Sequence, residues 1–526
     1  MSAGAFTIRR ASSRFKPVHL AVVAACAAVV AVAACNDEEP SQPAASATDS
    51  AATDGAGGAA ASAQPNIVVV MTDDQDVASI DYLPQIQRLA REGTSFSQTV
   101  ATTPQCCPSR ATFLTGQYAH NHGVLSNKAP DGGFAALDST RTLPVWLSEA
   151  GYTTAHVGRY LNGYGNPAVG TDPLEIPPGW DDWQVPVNHT EFRMWNYTLN
   201  ENGVLKDYGD KARDYQTDVV ARKAAAFVRA NARKADPFFL SVASLAPHKE
   251  GVLDKVPNAP RNPRPAPRHD GVLENLAIPR APSYDEADVA DKPRSVSRLP
   301  TLPRSSVRDL EVLNRSRVES LLAVDDLVGR LMRTLRRSGE LENTLVIFTS
   351  DQGFLFGEHR LIGKGTLYEG AVRVPLIMRG PGMIQGAVRG QLVANIDLAP
   401  TIVDYAGAVP DVEPDGSSLR PIATEQETAD ERTYLLEIQR VPGLDEDARD
   451  RARDLRKFLE PESVFAVRSP SFMYATQPTG EVELYDLARD PDQLENVAAD
   501  PAYAAPLAQL ENKLRTLKSC QAAACR

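Results

Sequence analysis

A chain of 526 residues is too long for one hydrophobic core and implies one large domain with a smaller companion, or two to three domains. Hydrophobic residues at 43% and charged residues at 23% are ordinary for a globular protein. The net charge of −12 argues against general nucleic-acid binding, which needs a basic excess, so any anionic substrate must be met by a local basic pocket.

Residues 1–35 read as a targeting segment. Arg9, Arg10, Arg14 and Lys16 form a basic start, and Leu20 to Ala34 is an unbroken apolar run of 15 residues, short of the roughly 20 that a membrane-spanning helix needs. The run ends Val32-Ala33-Ala34-Cys35, which resembles a bacterial lipoprotein cleavage box with Cys35 as the lipidated residue. Ordinary secretion with cleavage near Ala34, and a weaker box ending at Cys26, are the alternatives. The expectation is export, as a cell-surface lipoprotein or a secreted protein, with a membrane met only through such an anchor. Residues 36–64 are mainly Ala, Ser, Asp, Gly and Pro, cannot bury a core, and are expected to form a flexible linker.

The folded region opens at Asn66 to Met71, an apolar, β-branched run that predicts a buried strand of a parallel sheet. An amphipathic helix follows over Leu83 to Glu92, stopped by Gly93. Next comes Thr103-Pro104-Gln105-Cys106-Cys107-Pro108-Ser109-Arg110, running to Gly116. Pro108 suits a first helical turn and Gly116 a C-terminal stop, so the two thiols sit at a helix N-terminus, where unpaired N–H groups and the dipole favour an anion. Arg110 adds a fixed positive charge there. On these residues alone, buried structural cysteines and a chemically special thiol are equally good readings.

Further elements are a helix near Leu143 to Ala150, a strand at Tyr152 to Val157, a helix at Tyr215 to Asn231 and a strand at Pro237 to Ser244. A long helix at about Val307 to Arg337 and a strand at Thr344 to Thr349 follow. Strands alternating with helices predict an α/β fold, a large mostly parallel sheet sandwiched by helices. Polar clusters follow the strands: Asp73 and Asp74, Gly158 and Arg159, Pro247 and His248, Asp351 and Gln352. Ligands of open α/β sheets bind outside the carboxyl ends of the strands, so these clusters are expected on one rim. Three carboxylates and an amide oxygen suit Ca2+ or Mg2+ rather than zinc.

These residues resemble a family. Cys106 to Arg110, with Leu114-Thr115-Gly116, matches the signature of the formylglycine-dependent sulfatases of the alkaline-phosphatase-like superfamily, in which the first Cys is oxidised to an aldehyde. The likeness runs from Pro65 to about Val497. It implies metal ligands Asp73, Asp74, Asp351 and Gln352 together with the modified Cys106 (3-oxoalanine). Catalytic roles fall to Cys106, Arg110, Arg159, His248 and Lys364, and substrate contacts to Asn162, His248 and Lys364. His120-Asn121-His122 and Gly158-Arg159-Tyr160-Leu161-Asn162 look closest to N-acetylglucosamine-6-sulfatases and heparan-type sulfatases. Three positions depart from the pattern: Arg159 stands where most members have Lys, Asn162 where many have His, and Gln352 where Asn or His is usual. Arg cannot lose a proton and Asn cannot relay one at neutral pH.

The chemistry so implied is hydrolysis of a sulfate ester of a sulfated sugar, glycosaminoglycan or aryl alcohol. A hydrated aldehyde at 106 attacks sulfur to give a sulfated-enzyme intermediate, aided by Ca2+, and the second hydroxyl then expels sulfate. Asp351 is a candidate base, Arg110, Arg159 and Lys364 balance charge, and His248 or Lys364 protonates the departing alcohol. A formylglycine-generating enzyme would be the maturation partner. The alternative is a phosphodiesterase or phosphonate monoester hydrolase of the same superfamily.

Residues from about Lys249 to Arg304, rich in Pro and Arg, read as a long ordered loop across the domain surface, either lining the cleft or a solvated insertion, and Asp325 and Asp326 of the long helix as a solvated face. Strand-like runs at Tyr434 to Ile438, Val464 to Val467, Phe472 to Thr476 and Val482 to Leu487, then a helix at Ala504 to Leu517, predict a small C-terminal α+β subdomain with an antiparallel sheet. The expected division is therefore 65–425 for the catalytic domain and 426–526 for the subdomain. Cys520 and Cys525 are close enough to form a disulfide in an oxidising compartment.

Overall fold

A computed structural model describes residues 64–251, 262–425, 431–439 and 463–526. The targeting segment, with Cys26 and Cys35, the linker up to residue 63, and part of the Pro- and Arg-rich loop lie outside the described residues. No helix among the described residues is long and apolar enough to cross a membrane.

Strand β1 (Asn66–Thr72) is the axis of the molecule. Ile67, Val69 and Met71 enter one hydrophobic cluster, and Val68 and Val70 enter another on the opposite face. A strand covered on both faces must be apolar throughout, which is why this run lacks polar alternation. β1 pairs in parallel with β7 (Phe238–Ala243) and β8 (Thr344–Ser350), with Val68 opposite Leu240 and Val346. β3 (Thr153–Gly158) and β4 (Asp182–Pro186) continue the parallel block beyond β7.

The whole sheet has ten strands. On one side β5 (Tyr197–Glu201) and β6 (Val204–Tyr208) append an antiparallel hairpin. On the other side β11 (Leu376–Arg379) runs antiparallel to β8 and to β2 (Thr94–Val100), and β12 (Ala387–Ala394) closes the edge. The helices Pro84–Glu92, Gln216–Asn231 and Arg304–Ser338 cover one face. Cys106–Thr115, Leu143–Glu149 and Leu398–Ala406 cover the other.

A short hairpin of β9 (Leu355–Phe356) and β10 (Ile362–Gly363) precedes Lys364. A separate four-stranded antiparallel sheet, β13 (Tyr434–Ile438), β14 (Val464–Arg468), β15 (Phe472–Thr476) and β16 (Val482–Asp486), packs with the helix Ala504–Leu517 around a third cluster. Cys520 and Cys525 are disulfide-bonded. The Cys520 carbonyl accepts from the Asn121 side chain at 2.9 Å, and the Ala522 N–H donates to Asp415, which fastens the terminal loop behind the cysteine helix.

One reading needs correction. Asp325 is not solvated: it is buried, and its carboxylate accepts the N–H groups of Gln85 and Ile86 at 2.8 and 3.0 Å, so it caps the helix Pro84–Glu92 from a neighbouring helix. Only Asp326 faces outward, paired with Arg268 and His269. The strands towards the two ends of the sheet, β2, β5, β6 and β12, were not legible. Their polar positions are only half covered, and β12 carries Gly390 inside an irregular register between Arg389 and Leu392.

Candidate active site

The site is built where β1, β7, β8 and β3 end, under the N-terminus of the cysteine helix. Cys106 and Cys107 open that helix, Gln105 precedes it in an extended conformation, and Gly116 ends it at φ 68°, a left-handed position suited to glycine. Both thiols are buried but differ in surroundings. Cys107 belongs to the hydrophobic core and its Sγ accepts the N–H of Asn162 at 3.1 Å. Cys106 faces polar groups: Lys364 Nζ at 2.9 Å, Gln352 Nε2 at 3.2 Å and Asp73 Oδ1 at 3.7 Å.

Every residue singled out for catalysis, substrate or metal between 73 and 364 reaches this one place. Arg110, four residues into the helix, uses three donors: Nε to Asp351 Oδ2 at 2.9 Å, Nη2 to Asp73 Oδ2 at 3.2 Å, and Nη1 to the Arg159 carbonyl at 3.0 Å. Arg159, at the end of β3, forks between the Asp73 carboxylate and Asn162 Oδ1, the latter at 2.6 Å. Lys364 Nζ reaches Asp74 Oδ1 at 2.7 Å, and His248 Nε2 stands 3.6 Å from Asp74 Oδ2. His248 Nδ1 lies 2.7 Å from the Lys249 carbonyl and must carry a proton there, so Nε2 is the nitrogen able to exchange one.

Three buried carboxylates thus meet three buried cations, and the arrangement is formally neutral. A divalent cation would leave it positive, as an anionic substrate requires. The donor set fits a hard cation. Asp73, Asp74, Cys106 and His248 bring one donor atom each to within 4.8 Å of one another, and Gln352 Oε1 is buried without a hydrogen-bond partner among the described residues. Asp351 faces the same space with its oxygens engaged by Arg110 and by the Asp74 N–H at 3.0 Å.

Several neighbours carry no motif. Phe192, between β4 and β5, lies under the Arg159 guanidinium at 4.6 Å from its ring centroid and against the His248 ring at 5.1 Å. Beside it Glu191 is buried and its carboxyl is pushed up to about 7 by burial, against the pull of Arg159 and Arg193. His156, held neutral by burial at about 3, donates from Nε2 to the Arg159 carbonyl at 3.2 Å. Arg317, whose Nη1 donates to the Pro247 carbonyl at 3.3 Å, left a trace in the sequence: a charge seven residues after Leu310 stands on the apolar stripe of its helix.

The sulfatase family model matches residues 65–408, and the chain belongs to the sulfatase family. The N-acetylglucosamine-6-sulfatase of Homo sapiens is 34% identical over 488 residues, covering 87% of this chain and 85% of that one. An extracellular sulfatase homolog of Caenorhabditis elegans is 36% identical over 358 residues, or 66% of this chain. The chain spans 48% of the length of that nematode relative and 30% of a fruit-fly counterpart. Among solved structures, a protein in complex with its substrate D-glucosamine-2-N,6-O-disulfate superposes with a TM-score of 0.69 at 24% identity, covering 86% of this chain and 98% of that one, which shows the fold.

Proposed function

We propose that the chain hydrolyses sulfate esters of sulfated sugars, with position 106 as the reacting residue. The observation that carries this reading is a buried thiol at a helix N-terminus, 2.9 Å from Lys364 and facing carboxylates that a hard cation would bridge. The Sγ of Cys106 stands in for an oxygen of the mature residue. As formylglycine, position 106 would supply an attacking hydroxyl, and Asp73, Asp74, Asp351 and Gln352 would hold a divalent cation, Ca2+ in preference to Mg2+, which would supply acidification and charge neutralisation.

The chain's own residues do the remainder. Arg110 fixes the cysteine helix against Asp73 and Asp351 so that position 106 cannot drift from the carboxylates. Lys364, against position 106, and Arg159, on the Asp73 carboxylate, would meet sulfate oxygens. His248 Nε2 is the donor for the departing alcohol, with Lys364 as the second candidate. Asp351, with one oxygen on Arg110 and the other accepting the Asp74 N–H, serves as an orienting group better than as a base, because both of its oxygens are already engaged. Asn162, its oxygen taken by Arg159, is left with its amide N–H groups for the substrate.

The substrate class follows the relatives: a human N-acetylglucosamine-6-sulfatase and a fold neighbour whose substrate is a glucosamine disulfate both favour a sulfated amino sugar. The extracellular relatives support export, with maturation by a formylglycine-generating enzyme and an anchor at Cys35 as further parts of the reading.

The test has two arms. Peptide mass analysis of active protein should show the aldehyde at 106, and a pure thiol in active protein would overturn the mechanism. Turnover of an aryl sulfate should exceed that of an aryl phosphate diester; the reverse order would move the chain to phosphodiester or phosphonate hydrolysis.

A further inference from the structure

Arg317 is among the largest fully buried side chains, 2% exposed, on the long helix Arg304–Ser338. Among the described residues it forms no ion pair. Its charge is offset at a distance by Asp76 and Asp74, and by the face of Phe354, whose ring centroid lies 3.9 Å away, with Phe356 at 5.4 Å. Burying a guanidinium without a direct counter-charge is costly, so its hydrogen bonds show what the position is used for.

Those bonds go to two backbone carbonyls, Asp74 through Nη2 and Pro247 through Nη1, the latter at 3.3 Å. Asp74 ends the segment after β1, Pro247 precedes His248 after β7, and Phe354 follows Gln352 after β8. These three strands are neighbours in the sheet, in the order β8, β1, β7. One side chain therefore touches all three loops that carry the carboxylates, the amide and the histidine. Asp74 is also held at φ 69°, a left-handed conformation that a non-glycine residue keeps only when its surroundings impose it. Its N–H is held by Asp351, its carboxylate by Lys364 and its carbonyl by Arg317.

We propose that Arg317 is a positioning residue that fixes the direction of the Asp74 carboxylate and the placement of the His248 loop for cation binding and leaving-group protonation. The proposal rests on the sulfatase reading above. Arg317 touches neither the thiol nor any group in front of it. It acts through Asp74 and Pro247, as outer contacts of metal ligands do, where a substitution typically costs 10–100-fold in affinity.

The experiment uses the full chain with its aldehyde content at 106 measured, and compares the parent with Arg317→Met and Arg317→Lys. The readouts are the rise of the thermal midpoint with added Ca2+, and kcat and KM on an aryl sulfate. Arg317→Met should raise the Ca2+ concentration giving half the midpoint rise by about tenfold or more and lower kcat more than it alters KM. Arg317→Lys keeps the charge and one carbonyl bond and should fall between the two. A folded Met variant that titrates with Ca2+ like the parent and keeps its kcat overturns the proposal; if that variant does not fold, the Lys variant decides, and a titration identical to the parent's overturns it. A parent whose midpoint ignores Ca2+ would sink the cation reading itself, and the role of Arg317 with it.

Discussion

Arg110 Nε lies 2.9 Å from Asp351 Oδ2 with both side chains buried, joining the helix that carries Cys106 to the end of β8. The remaining guanidinium nitrogens bind Asp73 and the Arg159 carbonyl, so this one side chain ties three polar clusters far apart in sequence.

Replacing Arg110 with Ala should therefore lower stability by about 3–5 kcal/mol, because the buried Asp351 carboxylate loses its ion-pair partner and Asp73 is left with Arg159 alone. Arg110→Lys, which reaches only one of the three acceptors, should lose less stability but still reduce kcat/KM by about a hundredfold or more. Denaturant unfolding and aryl sulfate kinetics measure both. Parent-like stability in the Ala variant would show that the ion pairs are not what holds the site.

Gln352 Oε1 is a buried acceptor without a donor among the described residues, as a cation ligand would be. Gln352→Leu should weaken Ca2+ binding by about 10–100-fold in calorimetric titration, by analogy with other metal-site contacts. Gln352→Asn, with the same amide on a shorter stem, should be intermediate. Equal affinity in parent and Leu variant would remove Gln352 from the ligand set.

Glu191 introduces a pH dependence whose sign is fixed by its raised proton affinity. Its carboxyl loses a proton at about 7 in the folded protein, against 4.5 as the ordinary value. Between those limits the folded chain holds a proton that the unfolded chain has released, so this contribution to stability is full below the lower value and is lost as pH rises through the upper one. Glu191→Gln removes the effect, and from about pH 5 to about pH 8 the variant should gain up to about 3 kcal/mol on the parent. Midpoints that stay a constant distance apart across that range would contradict the burial argument.

Asp325 and Asp326 are adjacent yet should respond differently. Asp325→Ala removes a buried cap from the helix Pro84–Glu92 and should cost about 1–2 kcal/mol. Asp326→Ala breaks exposed pairs with Arg268 and His269 and should cost about 1 kcal/mol or less. Chemical denaturation of the two variants gives the comparison, and equal losses would place both on the surface.

The layered α/β architecture was legible because its central strands are apolar on both faces. Asn66 to Met71 and Thr344 to Thr349 have no other stable use than the middle of a covered sheet, and the structure has them at β1 and β8. The C-terminal strands were legible one by one as short runs rich in apolar residues, and their central residues are buried. The edge strands were not, since their half-exposed positions accept polar residues and glycine without penalty.

The resemblance of the cysteine motif and of the segment around Lys364 supplied a thiol, an arginine and a lysine, and the sequence by itself determined which residue types follow each central strand: three aspartates, Arg159, Gln352 and a histidine. The direction of parallel strands makes their carboxyl ends one rim, so these residues could be assigned to a common site before any coordinate was known. Only the tertiary structure decided how they divide. Cys106 turns to Lys364 and Gln352 while Cys107 turns to the core, Arg159 takes up Asn162, and Arg317 and Phe192 arrive from elements with no motif. Such pairings depend on how helices and loops pack across the sheet, and packing is a property of distant segments together that no local run of residues encodes.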